Sequence, residues 1–200
     1  QTIMSSQDID ETTSGLTDPI FLIGYQNFEV FKKWQFNYSF FGGCDIGIGQ
    51  YNTSLNEEYS PGSNTTDLLV GSELLARFKK WAIISKSNYK IGYKNKQGYR
   101  FGQTVNTSIY SGYYYEKSNL MTLPLFGLSL ESDFIDYNNN RSVKFSSSDI
   151  LFSDIGVNIM FNKKFILGSK YKIPVFKNVS GWSSLKLTAF EFEFSMVLGN

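Results

Sequence analysis

Hydrophobic and polar residues alternate with a period of two near the end of the chain. There, Phe190, Phe192 and Phe194 alternate with Glu191 and Glu193. Period-two alternation indicates a β-strand with one apolar and one polar face. In a soluble protein the apolar face would be buried in a core, whereas in a transmembrane barrel it meets lipid. A length of about ten residues is enough for such a strand to cross the membrane.

The same alternation, interrupted by turn-forming residues, predicts nine long strands. We expect them at 18–30, 34–50, 65–77, 81–94, 99–113, 120–134, 148–161, 165–176 and 185–199. Short connections mostly alternate with longer ones rich in Asn, Ser, Gly and Tyr, although the turn at 95–98 is also short. Short turns at one end and longer loops at the other are typical of bacterial outer-membrane barrels.

One hairpin pattern recurs along the chain. The turn Phe31–Trp34 carries two lysines between aromatic residues, and Phe78–Trp81 repeats it. Phe161–Phe165 is a degenerate third copy. A repeated hairpin predicts an up-and-down meander, in which each strand pairs with the next.

Strand parity requires one more strand than the alternation identifies. With the C-terminus on the periplasmic side, nine strands leave the N-terminus on the wrong side of the membrane. Residues 2–10 are the available segment, with 11–17 as its outer loop; alternatively, residues 1–14 plug the lumen. We therefore expect an all-β fold, an antiparallel up-and-down transmembrane β-barrel of about ten strands, with residues 1–200 forming one domain.

The polar strand positions predict a charged interior, and the strand ends predict two aromatic girdles. The expected lumen-facing charges are Glu73, Lys86, Lys90, Arg100, Glu131, Asp154, Lys170, Lys172, Glu191 and Glu193. The expected girdles hold Trp34, Trp81, Phe161 and Phe165 at the inner rim and Tyr93 and Tyr99 at the outer rim. A small barrel is nearly filled by its own side chains. The charges either neutralise one another in a polar core or line a selective path.

Composition narrows the functions that remain. The chain has no histidine, which removes His-dependent hydrolytic triads and the usual imidazole metal ligands. Its single cysteine, Cys44, can form no disulfide within the chain, and a net charge of +1 gives no sign of nucleic-acid binding. We expect no enzymatic activity, no cofactor and no metal. The chain begins with Gln1, which fits an exported protein whose signal peptide has been removed.

Three loop segments carry a resemblance to a known family. They are 60–71, with the sequence SPGSNTTDLLVG, 173–181, with IPVFKNVSG, and Gly15–Asp18, with GLTD. In this order they resemble the meta-pathway phenol-degradation family of outer-membrane β-barrels, whose members are often described as transporters. The resemblance implies a barrel in the outer membrane of a Gram-negative bacterium and supplies no catalytic residues.

Two functions remain open at this point. The first is a structural or accessory barrel that contacts outer-membrane lipid and a larger outer-membrane protein complex. The second is a passive transporter or channel for a small or hydrophobic solute. The short, neutral and filled barrel favours the first, and the resemblance to a transporter family favours the second.

Overall fold

The computed structural model of the protein describes residues 18–48, 64–144, 146–162, 164–180 and 188–196, and these form an all-β structure without a helix. The nine long strands are β1 (Ile20–Phe31), β2 (Trp34–Ile46), β3 (Thr66–Phe78), β4 (Trp81–Ile91), β6 (Thr104–Tyr113), β8 (Leu120–Asp133), β11 (Ser148–Phe161), β12 (Phe165–Val179) and β13 (Ala189–Met196). Four short strands are β5 (Tyr99–Arg100), β7 (Tyr115–Lys117), β9 (Tyr137–Asn138) and β10 (Arg141–Ser142).

Each long strand pairs antiparallel with the next long strand along the chain. The resulting order is β1-β2-β3-β4-β6-β8-β11-β12-β13, and β7 adds to the end of β8. A second, small sheet has the order β10-β9-β5. The predicted all-β, antiparallel meander is therefore confirmed. Two-residue turns such as Lys32–Lys33 make the tight reversals, and Lys32 adopts a left-handed backbone there with φ of 57°.

The prediction of one strand at 99–113 is wrong. Its first residues, Tyr99 and Arg100, pair with β9 in the small sheet, and the long strand begins only at Thr104. The chain changes direction at Gly102, whose N–H donates to Asp136 Oδ1 at 2.5 Å. The Gly102 backbone also lies against the Phe134 carbonyl, where no side chain would fit. Alternation cannot detect this break because it depends on a residue distant in sequence.

The two faces of the long sheet differ in chemistry. On β8, Phe126 is 61% exposed and points outward, whereas its neighbour Leu125 is 5% exposed and points to the other face. Outward positions of β2, β3, β4, β6, β8, β12 and β13 hold no charged residue in the described chain. The outward charges elsewhere in the long strands are Glu29 on β1 and Asp149 at the start of β11. The outward face is thus a broad, exposed apolar surface.

The inward face is concave. In a flat sheet, strands that are two positions apart lie about 10 Å from each other. Nevertheless, Tyr110 on β6 hydrogen-bonds Asp154 on β11 at 2.9 Å, across β8. The Lys170 ammonium on β12 lies 5.5 Å from the centre of the Tyr110 ring, with β8 and β11 between them. Residues from β4, β6, β8, β12 and β13 also line one cavity, which indicates that the sheet curves toward this face.

The described sheet is open at both edges. In the described residues, β1 pairs only with β2, and β13 pairs only with β12. Eight antiparallel pairings separate these two edge strands, so they run in the same direction. The tenth strand predicted for residues 2–10, and the alternative plug at 1–14, lie outside the described residues.

Candidate functional site in the concave face

A network of four charged side chains joins three strands on the concave face. The Lys172 ammonium lies 2.5 Å from the Glu131 carboxylate and 3.2 Å from that of Glu191. Glu191 also accepts a contact of 2.6 Å from Lys170. The Lys172 side chain is buried, and its aliphatic part brings the ammonium over the Phe152 ring at 4.7 Å. The two lysines and two glutamates are therefore mutually neutralised.

A polar pair lies beside this network. The Tyr110 hydroxyl donates to the carboxylate of Asp154, which is buried. Gly127 lies between them, since it is the register partner of Tyr110 on one side and of Asp154 on the other. A Cβ at Gly127 would lie 2.5 Å from Tyr110 Cδ1. The absence of a side chain at Gly127 allows the Tyr110 ring to cross β8 and reach Asp154.

A second charged cluster lies nearer the loop end of the sheet. The Lys90 ammonium contacts Asp67 at 3.0 Å and Asp45 at 3.2 Å. The two aspartates are direct register partners on β3 and β2. Asp67 is fully buried and accepts hydrogen bonds from the Thr65 hydroxyl at 2.8 Å and the Tyr93 amide at 3.1 Å. One lysine thus bridges two neighbouring carboxylates, which would otherwise repel each other.

A polar cavity of about 340 Å³ opens between these strands on the concave face. Lysine, carboxylate, amide and hydroxyl groups all contribute to its lining. Among the lining residues are Lys86, Asn88, Asn106, Ser108, Lys170 and Glu191. Lys86 also forms an ion pair with Glu73 at 3.2 Å, and both side chains are partly exposed. The cavity has the size of a small-molecule site, and the basic side chains that line it face acidic partners.

An apolar cluster occupies the turn end of the same concave face. Its buried members come from β4, β6, β8 and the residue that follows β6: Ala82, Ile84, Tyr110, Tyr114, Leu123 and Leu125. Leu75 and Met121 pack against them. The polar cavity therefore ends at an apolar layer on the side of the short turns.

Eight of the ten charged residues predicted for the interior lie on concave-face positions within the clusters and the cavity described above. Glu193 is also on an inward position but outside these clusters, whereas Arg100 lies outside the long sheet. Arg100 belongs to the small sheet, where its guanidinium lies 4.4 Å from the centre of the Tyr137 ring. Glu193 lies opposite Gly168, one row beyond the network, and its side chain is exposed.

The expected girdle residues also separate into two groups. Trp34, Trp81, Phe161 and Phe165 all lie at the turn end and are exposed. Tyr93 is exposed at the loop end. Tyr99 departs from the expectation because its side chain is buried, with its hydroxyl donating to Asp136 Oδ2 at 2.5 Å.

Asp136 connects three residues at the loop end of the sheet by hydrogen bonds. Its carboxylate accepts hydrogen bonds from the Tyr99 hydroxyl and the Gly102 amide, and its own amide donates to the Ser146 hydroxyl at 2.8 Å. Burial raises the pKa of the Asp136 carboxyl above its usual range. The two donated hydrogen bonds oppose this increase, and the nearby carboxylate of Asp133 adds to it.

Sequence reasoning missed two parts of this site. Asp67 is not among the predicted lumen-facing charges, although it lies in the predicted strand 65–77 on the same face as Glu73, so the alternation could have identified it. The apolar cluster is hidden because β8 carries leucine on both faces, at Leu123 and Leu125 inward and at Leu128 and Leu130 outward. The signal that could have revealed the cluster is this same two-sided pattern, because a strand with two apolar faces requires an apolar contact on each face.

Comparison with models of known protein families finds no match, and comparison with curated proteins also finds none. The resemblance to the meta-pathway phenol-degradation family rests on the three loop segments and stays a prediction. Within the described ranges, no helix has the length and hydropathy of a membrane span. The same residues contain no group of three or more side chains suited to holding a metal ion.

Proposed function

We propose that this protein is a non-enzymatic, integral outer-membrane β-barrel of a Gram-negative bacterium that acts as a structural or accessory subunit of an outer-membrane assembly. The observation that carries the proposal is the chemistry of the two faces. Within the long strands, charged side chains lie almost entirely on the concave face and are largely paired, while the outward face exposes aromatic and aliphatic residues. An outward apolar band around a polar interior is the arrangement that a lipid bilayer requires of a β-sheet.

The interior supports an accessory role over transport. Within each lysine-centred cluster the lysines are paired with carboxylates, and the apolar cluster covers the turn end of the concave face on β4, β6 and β8. Ions cross a protein where polar groups replace their hydration shell, and an apolar constriction resists them. We therefore propose a barrel that does not conduct.

The first strand supports closure of the barrel by a further strand. On β1, Phe21 and Ile23 are exposed on the outward face, and Ile20 and Leu22 are exposed on the inward face. The free edge of β1 also presents unpaired backbone groups in the described chain, which readily add a further strand. We propose that residues 2–10 cover this edge and close the barrel as a tenth strand.

A second candidate is passive transport of a small solute, favoured by the cavity of about 340 Å³. Single-channel recording in planar bilayers separates the two functions. The proposed accessory barrel shows no discrete openings, and Glu191→Gln changes nothing in the recording. Discrete openings whose ion selectivity shifts in Glu191→Gln, but not in the loop variant Lys144→Gln, would replace the proposal with the transporter.

A further inference from the structure

The short turns form one continuous rim. The Lys80 carbonyl accepts a hydrogen bond of 2.7 Å from the Tyr114 amide, and the Asn119 carbonyl accepts one of 2.8 Å from the Asn162 amide. Neighbouring hairpin ends are thereby linked along the edge of the sheet. We call the exposed lysines of this rim the basic turn surface: Lys32, Lys33, Lys79, Lys80, Lys117 and Lys164.

A row of aromatic residues lies directly beside this surface on the outward face. Each is the register partner of the next, across four strand pairings: Phe31, Trp34, Phe78, Trp81 and Tyr113. Two of the neighbouring pairs are in ring contact, with centroids 5.1 Å apart for Trp34 and Phe78 and also for Trp81 and Tyr113. We call this the aromatic row.

The lysines extend along the rings. Lys32 lies 5.4 Å from the centre of the Phe31 ring, Lys79 lies 5.5 Å from that of Phe78, and Lys80 lies 5.9 Å from that of Tyr113. Such contacts hold a cation beside an apolar surface without removing it from water. The ammonium groups are therefore positioned at the boundary between the apolar band and the solvent.

The positive charge of this rim is not neutralised by ion pairs among the described residues. In the described part of the chain, no ion pair involves a lysine of the basic turn surface. Glu116 is the one acidic residue among the described residues of these connections. By contrast, Lys86, Lys90, Lys170 and Lys172 on the concave face have carboxylate partners. A row of free cations above an apolar band complements a lipid with an anionic headgroup and acyl chains.

We infer that the basic turn surface binds the phosphate headgroups of anionic phospholipids, with their acyl chains against the aromatic row. This inference rests on the proposed membrane location. It predicts that anionic phospholipids are enriched around the turn end of the barrel and that the interaction weakens as salt rises.

The protein contains its own reporters for a test. Trp34 and Trp81 belong to the aromatic row, and Trp182→Phe removes the third tryptophan of the chain. The full-length protein is reconstituted into vesicles that contain either brominated phosphatidylglycerol or brominated phosphatidylcholine, and quenching gives the relative binding constant of the two lipids. We expect a preference of about threefold or more for the anionic lipid, falling to near unity in a variant with Lys32, Lys33, Lys79 and Lys80 changed to Gln.

A matched control uses lysines at the opposite end of the sheet. Lys94→Gln/Lys96→Gln is expected to keep the full preference, since both residues lie in the loop between β4 and β5. An equal preference in wild type and in the fourfold variant, or a loss of preference in the control, overturns the inference. Loss of preference on adding inorganic phosphate at constant ionic strength also overturns it, in favour of a free-phosphate site. Absence of quenching by either lipid instead contradicts the proposed membrane location.

Discussion

The ammonium group of Lys172 on β12 lies 2.5 Å from the carboxylate of Glu131 on β8, although β11 separates the two strands. Burial of this pair makes each charge dependent on the other, since a buried charge that loses its partner costs about 3–5 kcal/mol. We expect Lys172→Met to lower the free energy of unfolding by about this amount. Adding Glu131→Gln should recover part of the loss, and urea unfolding in detergent measures both.

The control for this cycle is the exposed pair Lys86 and Glu73. Because these side chains are partly exposed, their interaction is worth only about 0.2–1 kcal/mol. Equal coupling energies for the two pairs would contradict the assignment of Lys172 and Glu131 to a filled interior.

Gly127 tests the close approach of Tyr110 to β8. Gly127→Val places methyl groups where the Tyr110 ring lies, and overpacking of this kind costs about 1–3 kcal/mol. The matched control is Gly42→Ala, where an added Cβ meets nothing nearer than 3.7 Å. We expect a lower unfolding midpoint for the first variant and an unchanged one for the second. Equal midpoints would contradict the close packing around Gly127, where an added side chain would also clash with the Ile109 carbonyl oxygen.

The carboxyl of Asp136 predicts a pH dependence of stability. Its pKa in the folded protein is raised above the ordinary aspartate value of 3.8, so the unfolded chain loses this proton at lower pH than the folded chain does. The contribution of Asp136 to stability is therefore present below pH 3.8 and is lost as the pH rises through the folded pKa. Thermal melts of wild type and Asp136→Asn check this: the Tm of wild type relative to that of the variant should fall as the pH rises through the folded pKa. A constant difference would contradict the burial of Asp136.

Closure by the N-terminal segment makes a fourth prediction. Since β1 and β13 run in the same direction, a strand placed between them would pair antiparallel with both. On a Cys44→Ser background, we expect single cysteines within residues 2–10 to crosslink to one at Phe192, at alternate positions. Labels that remain mobile throughout 2–10, without crosslinks, would favour a plug or an open edge.

Much of the fold could be predicted because the outward face is so regular. Strand β11 begins and ends where the alternation predicts, at Ser148 and Phe161, and Lys170 and Lys172 lie against Glu191 as the neighbouring strands suggest. The small sheet could not be predicted in this way, because Tyr99 and Gly102 depend on Asp136, which lies far along the chain.

The curvature of the sheet also lies beyond what a pattern can give. Alternation assigns Tyr110 and Asp154 to one face, but only the curvature and the missing side chain of Gly127 bring them into contact. Similarly, the register shift between Leu151 and Phe152 changes the pairing of β11 with β12 without any break in hydrophobicity.

Charge on the outward face gives a further prediction. Phe192 is 64% exposed, so Phe192→Arg would cost little in water. In a bilayer, arginine near the midplane of a barrel costs about 2–4 kcal/mol, far more than Phe192→Leu. The free energy of folding is measured after refolding into vesicles and into detergent. The difference between Phe192→Arg and Phe192→Leu should appear in the vesicles. Equal tolerance of arginine at Phe192 and at its inward neighbour Glu191 would contradict the assignment of the faces.

The most direct test of the account is the surroundings of the outward face in a bilayer. Nitroxide labels are placed singly at Phe126, Leu128, Ser129 and Leu130 of β8 on a Cys44→Ala background, and collisions with oxygen and with a water-soluble nickel chelate are measured by electron paramagnetic resonance. We predict that the labels at Phe126, Leu128 and Leu130 collide with oxygen and not with the nickel chelate, as expected in lipid. The collision rates of the label at Ser129 should differ from those of the labels at Leu128 and Leu130. Outward labels that meet the nickel chelate as often as an exposed loop label does would contradict the account.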